Sequence, residues 1–187
     1  GGALSIAHPV LGSYDAGHLN ANGGSFIILD GTDYVIPKNL KLYGTNAAYF
    51  VARLGTGSAA LRCEFSGGQG VLLDSSGDYA SVIDCYIHDS GARGILTAGH
   101  QPRLIGNYIK NCATHGIELA NTSSPGGLVT QNIIEDCDGD GIRCTADGVT
   151  IMHNTIRGNG TASTSGIHLQ SAAAESAILI NNLISGY

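Results

Sequence analysis

The chain has 187 residues, with 9 Lys+Arg against 15 Asp+Glu and a formal charge of −6. Only 13% of it is charged, about half the usual ~25%, while glycine reaches 28 residues and tryptophan is absent. The acidic balance argues against a nucleic-acid binder, the sparse charge argues against a helical bundle, and no apolar run approaches the ~18 residues of a membrane span.

Residues 1–23 are weakly patterned and read as an N-terminal cap or linker. Gly1-Gly2-Ala3-Leu4-Ser5-Ile6 has no basic start and no long apolar core, so it does not read as a signal peptide. His8 and His18 in this stretch read as surface residues. Strand patterning is expected to start near Gly24. The triplets Leu40-Lys41-Leu42, Leu61-Arg62-Cys63 and Ile83-Asp84-Cys85 then line up at intervals of 21 and 22.

From residue 85 onward two columns repeat. Ile87, Ile109, Ile134, Ile156 and Ile184 each follow a Cys or Asn two residues earlier, namely Cys85, Asn107, Asn132, Asn154 and Asn182. A second column is Gly94-Ile95, Gly116-Ile117, Gly141-Ile142 and Gly166-Ile167. The two series stay in phase, with eight residues between their Ile positions in three turns and eleven in the fourth. The triplets Ile95-Leu96-Thr97, Ile117-Glu118-Leu119, Ile142-Arg143-Cys144 and Ile167-His168-Leu169 alternate with period two. Short strands repeating every two dozen residues predict an all-β coil of parallel strands over residues 24–187, a single-stranded solenoid of about seven rungs.

In such a coil equivalent residues stack at about 4.8 Å. Asn107, Asn132 and Asn154 are then expected to pass amide hydrogen bonds along a ladder that Cys63 and Cys85 extend. Cys112 and Cys137 form a second column, read as buried thiols with adjacent-turn disulfides as the alternative. Insertions at Asn121–Gly127, Gly160–Ser165 and near Ser171–Ser176 lengthen turns without breaking phase. His88 and His153 read as solvent-facing on turns.

The stretch from Gly23-Gly24-Ser25-Phe26-Ile27-Ile28-Leu29-Asp30-Gly31 through Tyr34-Val35-Ile36, followed by Leu40-Lys41-Leu42-Tyr43-Gly44, resembles the first turns of right-handed parallel β-helix proteins of the pectate-lyase-like superfamily. Asn154-Thr155-Ile156 and Ser165-Gly166-Ile167 resemble its repeat units. The resemblance implies a right-handed coil. It also implies polysaccharide substrates lying along the sheet of Gly-Ile-x-apolar strands. The superfamily includes lyases, hydrolases, uronate epimerases, phage tailspikes and adhesins, so fold leaves the activity open.

On that sheet the outward column is Leu72, Leu96, Glu118, Arg143 and His168, flanked by Arg93, His115, Asp140 and Ser165. His115, Glu118, Asp140, Arg143 and His168 therefore concentrate on one face and are the candidate catalytic residues. Inverting or eliminating at C5 of a uronate needs a base, a cation for the carboxylate and an acid; Arg143 and the histidines supply such groups. Glu118 with Asp140 suits hydrolysis instead. The Asp-Pro-His-Asp/Glu motif of epimerases and the motif set of polygalacturonases are absent, so a solvated strand face with a Glu118–Arg143 ion pair stands beside these readings.

Asp136-Cys137-Asp138-Gly139-Asp140-Gly141, with Asp147 at the twelfth place, fits the start of a calcium loop. The expected Ca²⁺ ligands are Asp136, Asp138, Asp140 and Asp147, with an acidic solvated turn as the alternative. Ile83, Ile105, Thr130, Met152 and Ile180 neighbour Val82, Leu104, Val129, Ile151 and Leu179; both columns cannot face inward. One is expected to be an exposed apolar stripe for side-by-side homo-oligomerisation, a trimer among the forms considered. The last turn stops at Tyr187, which suggests part of a longer chain or assembly. Two functions follow. One is extracellular recognition or processing of a polysaccharide; the other is a non-catalytic module of a tailspike, fibre or cell-surface adhesin.

Overall fold

The computed structural model describes residues 36–44, 50–73, 78–120, 126–160, 164–170 and 176–187, together with the backbone of strands His18–Ala21 and Ile27–Ile28. All of its regular structure is β, wound as a coil with three parallel sheets of eight, seven and six strands. Among the described residues the six-stranded sheet limits complete turns to at most six, slightly fewer than the seven rungs expected. One turn shows the scheme. Tyr108–Cys112 lies in the first sheet, Ile117–Leu119 in the second and Leu128–Thr130 in the third, and Ile133–Glu135 then re-enters the first.

Alternation sends one set of side chains inward. Phe65, Ile87, Ile109, Ile134 and Ile156 stack from the first sheet, Val71, Ile95, Ile117 and Ile142 from the second, and Val82, Leu104, Val129 and Ile151 from the third, all fully buried. Burying each such side chain contributes roughly 1.5–3 kcal/mol. In the third sheet the neighbouring column of Ile83, Ile105, Thr130, Met152 and Ile180 points away from the core; Ile83, Ile105 and Met152 are half-buried, Thr130 is buried and Ile180 is exposed.

The corner between the third and first sheets uses a left-handed residue in successive turns. Arg62, Asp84, Gly106, Gln131, His153 and Asn181 have φ between 49 and 67°. Each precedes a ladder residue. That conformation costs an L-residue about 1–2 kcal/mol, and the ladder offsets it. Cys85 N–H donates to Asn107 Oδ1 (3.0 Å), Asn107 N–H to Asn132 Oδ1 (3.0 Å), Asn132 N–H to Asn154 Oδ1 (3.0 Å) and Asn154 N–H to Asn182 Oδ1 (3.1 Å). Cys63 joins more weakly, donating its N–H to Cys85 Sγ at 3.4 Å.

The early register differs from expectation. Lys41 pairs with Glu64 and Leu42 with Phe65, so Leu40-Lys41-Leu42 aligns with Cys63–Phe65 rather than with Leu61–Cys63. A slip of two preserves the inside-outside alternation, so hydrophobic patterning does not detect it. The first sheet also already includes His18–Ala21, paired in parallel with Lys41–Gly44. His8 lies outside the described residues, as do most of the three insertions.

Candidate functional site

The second sheet presents the face that the repeat predicted. Arg53, Leu72, Leu96, Glu118, Arg143 and His168 are consecutive register partners. Each sits between two inward residues of its strand, so all point to the opposite side. The glycine before each of the last five of these strands lets the coil turn tightly. A Cβ on Gly116 would come within 2.7 Å of the Gly141 carbonyl oxygen. The preceding residues Arg93, His115, Asp140 and Ser165 form the adjoining column, held by backbone bonds such as Gly94 N–H to His115 O (3.0 Å) and Gly116 N–H to Asp140 O (3.1 Å).

All five candidate residues converge. Asp140 is the hub, with its side chain 10% exposed. Its Oδ2 lies 3.0 Å from His168 Nδ1 and 3.6 Å from His115 Nδ1, and its Oδ1 accepts the Ser165 N–H at 2.9 Å. Its own backbone N–H donates to His115 Nδ1 at 3.0 Å. His115 Nε2 is 3.1 Å from Arg143 Nη1, and Arg143 Nε donates to Gln170 Oε1 at 2.6 Å. Glu118 is buried between two arginines: it bonds Arg93 Nε, and its Oε1 is 4.0 Å from Arg143 Nη1. Burial pushes the His115 imidazole below its ordinary value; Glu118 and Asp140 oppose this, while Arg143 and Arg93 reinforce it.

Chemically the face holds a cation, an imidazole backed by a carboxylate and a half-buried imidazole whose protonation burial disfavours, within adjoining turns. Glu118, neutralised by two guanidinium groups, is a positioning anion rather than an open acid. Sequence reasoning placed Arg93 in the flanking column without recognising it as the Glu118 partner. It missed Gln170, which follows the inward Leu169 one turn after Thr145.

A family model described as a right-handed beta helix region matches residues 25–184. The chain belongs to the right-handed β-helix family. No curated protein and no solved structure matches it.

The other predicted positions of this β-helix lie elsewhere. Asp136 and Asp138 line a cavity of about 280 Å³ with Asp89, Asn111 and Cys112, at the corner between the first and second sheets. Lys110 and Arg157 each approach Asp136 at 3.7 Å, and Asn159 donates to Asp138 at 2.9 Å. Asp140 faces the histidines instead. Asp147 lies beyond the second sheet, where it bonds the Ser176 hydroxyl and the Gly148 N–H. The four aspartates of the calcium reading are thus dispersed, and among the described residues no three His, Cys, Asp or Glu side chains converge as a metal cage.

All five cysteines are buried free thiols, so the stacks are thiol columns and not disulfides. Hydrogen bonding to the Cys63 and Cys137 sulfurs, together with burial, pushes the Cys85 and Cys112 thiols up. His88 is on a strand rather than a turn, 2.8 Å from Asp89 and 3.4 Å from Glu64, and stacks on Tyr86. His153 is exposed at the left-handed corner, as expected.

Proposed function

We propose that this β-helix recognises or processes an extracellular polysaccharide along its second sheet, and that uronate-bearing glycans are the class it suits. The observation that carries this is the Asp140 hub, which brings His168 and His115 together beside Arg143 on adjoining turns. Removing a proton next to a carboxylate needs a base and a fixed cation; His168 and Arg143 are those groups. Two-carboxylate hydrolysis fits less well, because Glu118 is buried against arginine. The polymer reading is supported by the repeat itself. Rows about 4.8 Å apart present successive contacts to an extended chain, and the half-buried Leu96 offers some apolar surface next to the charged rows.

The test is incubation with alginate, pectate and capsular polysaccharides. Unsaturated-uronate absorbance and new reducing ends report processing, and affinity electrophoresis reports binding. Arg143→Ala and His168→Ala are expected to abolish processing and weaken binding at least tenfold. No binding to any acidic glycan would remove the proposal.

A second reading is a non-catalytic module of a tailspike, fibre or cell-surface adhesin, located on a virion or cell surface. The outward Ile83–Ile105–Met152–Ile180 column favours it, as a seam for side-by-side association such as a trimer. Light scattering that shows a monomer at high concentration would count against it.

A further inference from the structure

Asp140 makes two contacts of opposite sense. Its ionised carboxylate can only accept, so the ring nitrogen 3.0 Å away, His168 Nδ1, must carry a proton. Its backbone N–H can only donate, so His115 Nδ1, also 3.0 Å away, must offer a lone pair. A neutral imidazole has one proton. We infer that Asp140 is a positioning residue that sets the two histidines in opposite tautomers, Nδ1–H on His168 and Nε2–H on His115.

The competing arrangement would let His115 Nε2 accept from Arg143 Nη1 at 3.1 Å. That leaves the Asp140 N–H facing a ring N–H, and this amide has no other acceptor among the described residues. Arg143 has alternatives, bonding Gln170 and lying 4.0 Å from Glu118. A rigid backbone donor with one acceptor prevails over a mobile side chain with several. The result is a matched pair of working atoms. His168 Nε2, on a half-exposed side chain, is left as that ring's proton acceptor. His115 Nε2–H and Arg143 Nη1 are then two donors side by side, 3.1 Å apart, with Glu118 Oε1 4.0 Å from Arg143 Nη1. The use of this pair on a glycan rests on the function proposed above; the tautomers do not.

The experiment is ¹⁵N–¹H long-range correlation of the imidazoles at pH 8, with His115→Gln and His168→Gln assigning the two signals. The wild type should show the protonated-nitrogen shift on Nε2 of His115 and on Nδ1 of His168. In Asp140→Asn the amide oxygen keeps the Ser165 bond and the NH₂ faces His168. The His168 shifts should therefore exchange between its nitrogens, while His115, held by the backbone, should not change. The same tautomer on both rings, or Asp140→Asn leaving His168 unmoved, overturns the inference. Opposite tautomers with no glycan binding would sustain it and remove the proposed function instead.

Discussion

The Asn ladder makes the most exacting claim about stability. Asn132 is 1% exposed, and its side chain makes four hydrogen bonds at 3.0 Å. Its Oδ1 accepts from the backbone and side-chain N–H groups of Asn107, and its Nδ2 donates to Leu104 O and Asn154 Oδ1. Asn132→Ala removes all four and leaves the Asn107 N–H buried without a partner. At roughly 1 kcal/mol net per bond the loss is about 4 kcal/mol. For a chain of this size that corresponds to a fall in Tm of roughly 8–16 °C. Asn182→Ala deletes three similar bonds, but in a part-buried setting where water substitutes, so about 1 kcal/mol is expected. Urea unfolding followed by far-UV circular dichroism compares the two. If Asn132→Ala stays within about 1 kcal/mol of wild type, or Asn182→Ala costs as much, the ladder does not act as described.

Three further outcomes follow from particular side chains. The Tyr187 hydroxyl is buried without a hydrogen-bond partner among the described residues, and burial raises it to about 12; Tyr187→Phe should hold or raise Tm, and a clear fall would reveal an unseen partner. Because the folded-state value of His115 is depressed, the unfolded chain takes up that proton first. Its contribution is fully present above about pH 6.5 and declines as the pH falls toward the folded value. His115→Gln should therefore flatten the fall in urea midpoint below pH 6.5, and an unchanged slope would refute the assignment. The calcium expectation is checked by Tm in millimolar Ca²⁺: a rise supports a cation held by Asp136, Asp138, Asp140 and Asp147, and no shift removes the idea.

The coil was legible because its two columns, Asn-x-Ile and Gly-Ile, mark the same two corners in every turn. That phase alone put His115, Glu118, Asp140, Arg143 and His168 on one face. Contacts that depend on side-chain reach were not legible. Gln170 meets Arg143 across 27 positions of sequence, and Arg93 meets Glu118 across 25. The calcium pattern depends on loop shape in the same way. Alternate acids surround an ion only if the loop curls around it, whereas here the chain passes a corner between Asp138 and Asp140 and leaves them on different faces. The position of Tyr187 was also hidden. Its hydroxyl reaches back toward Gly141, within 2.8 Å of where a Cβ there would sit.

Ladder neighbours are separated by 22, 25, 22 and 28 residues, yet each backbone N–H finds the next asparagine oxygen at 3.0–3.1 Å. Vertical neighbours are selected by backbone pairing, so the contour length of a turn is free to vary from 22 to 28 residues without moving a ladder contact. Evolution, or a protein engineer, can therefore lengthen a loop bordering the histidine face without misaligning a single row of it. The architecture separates the task of keeping time from the task of meeting a ligand.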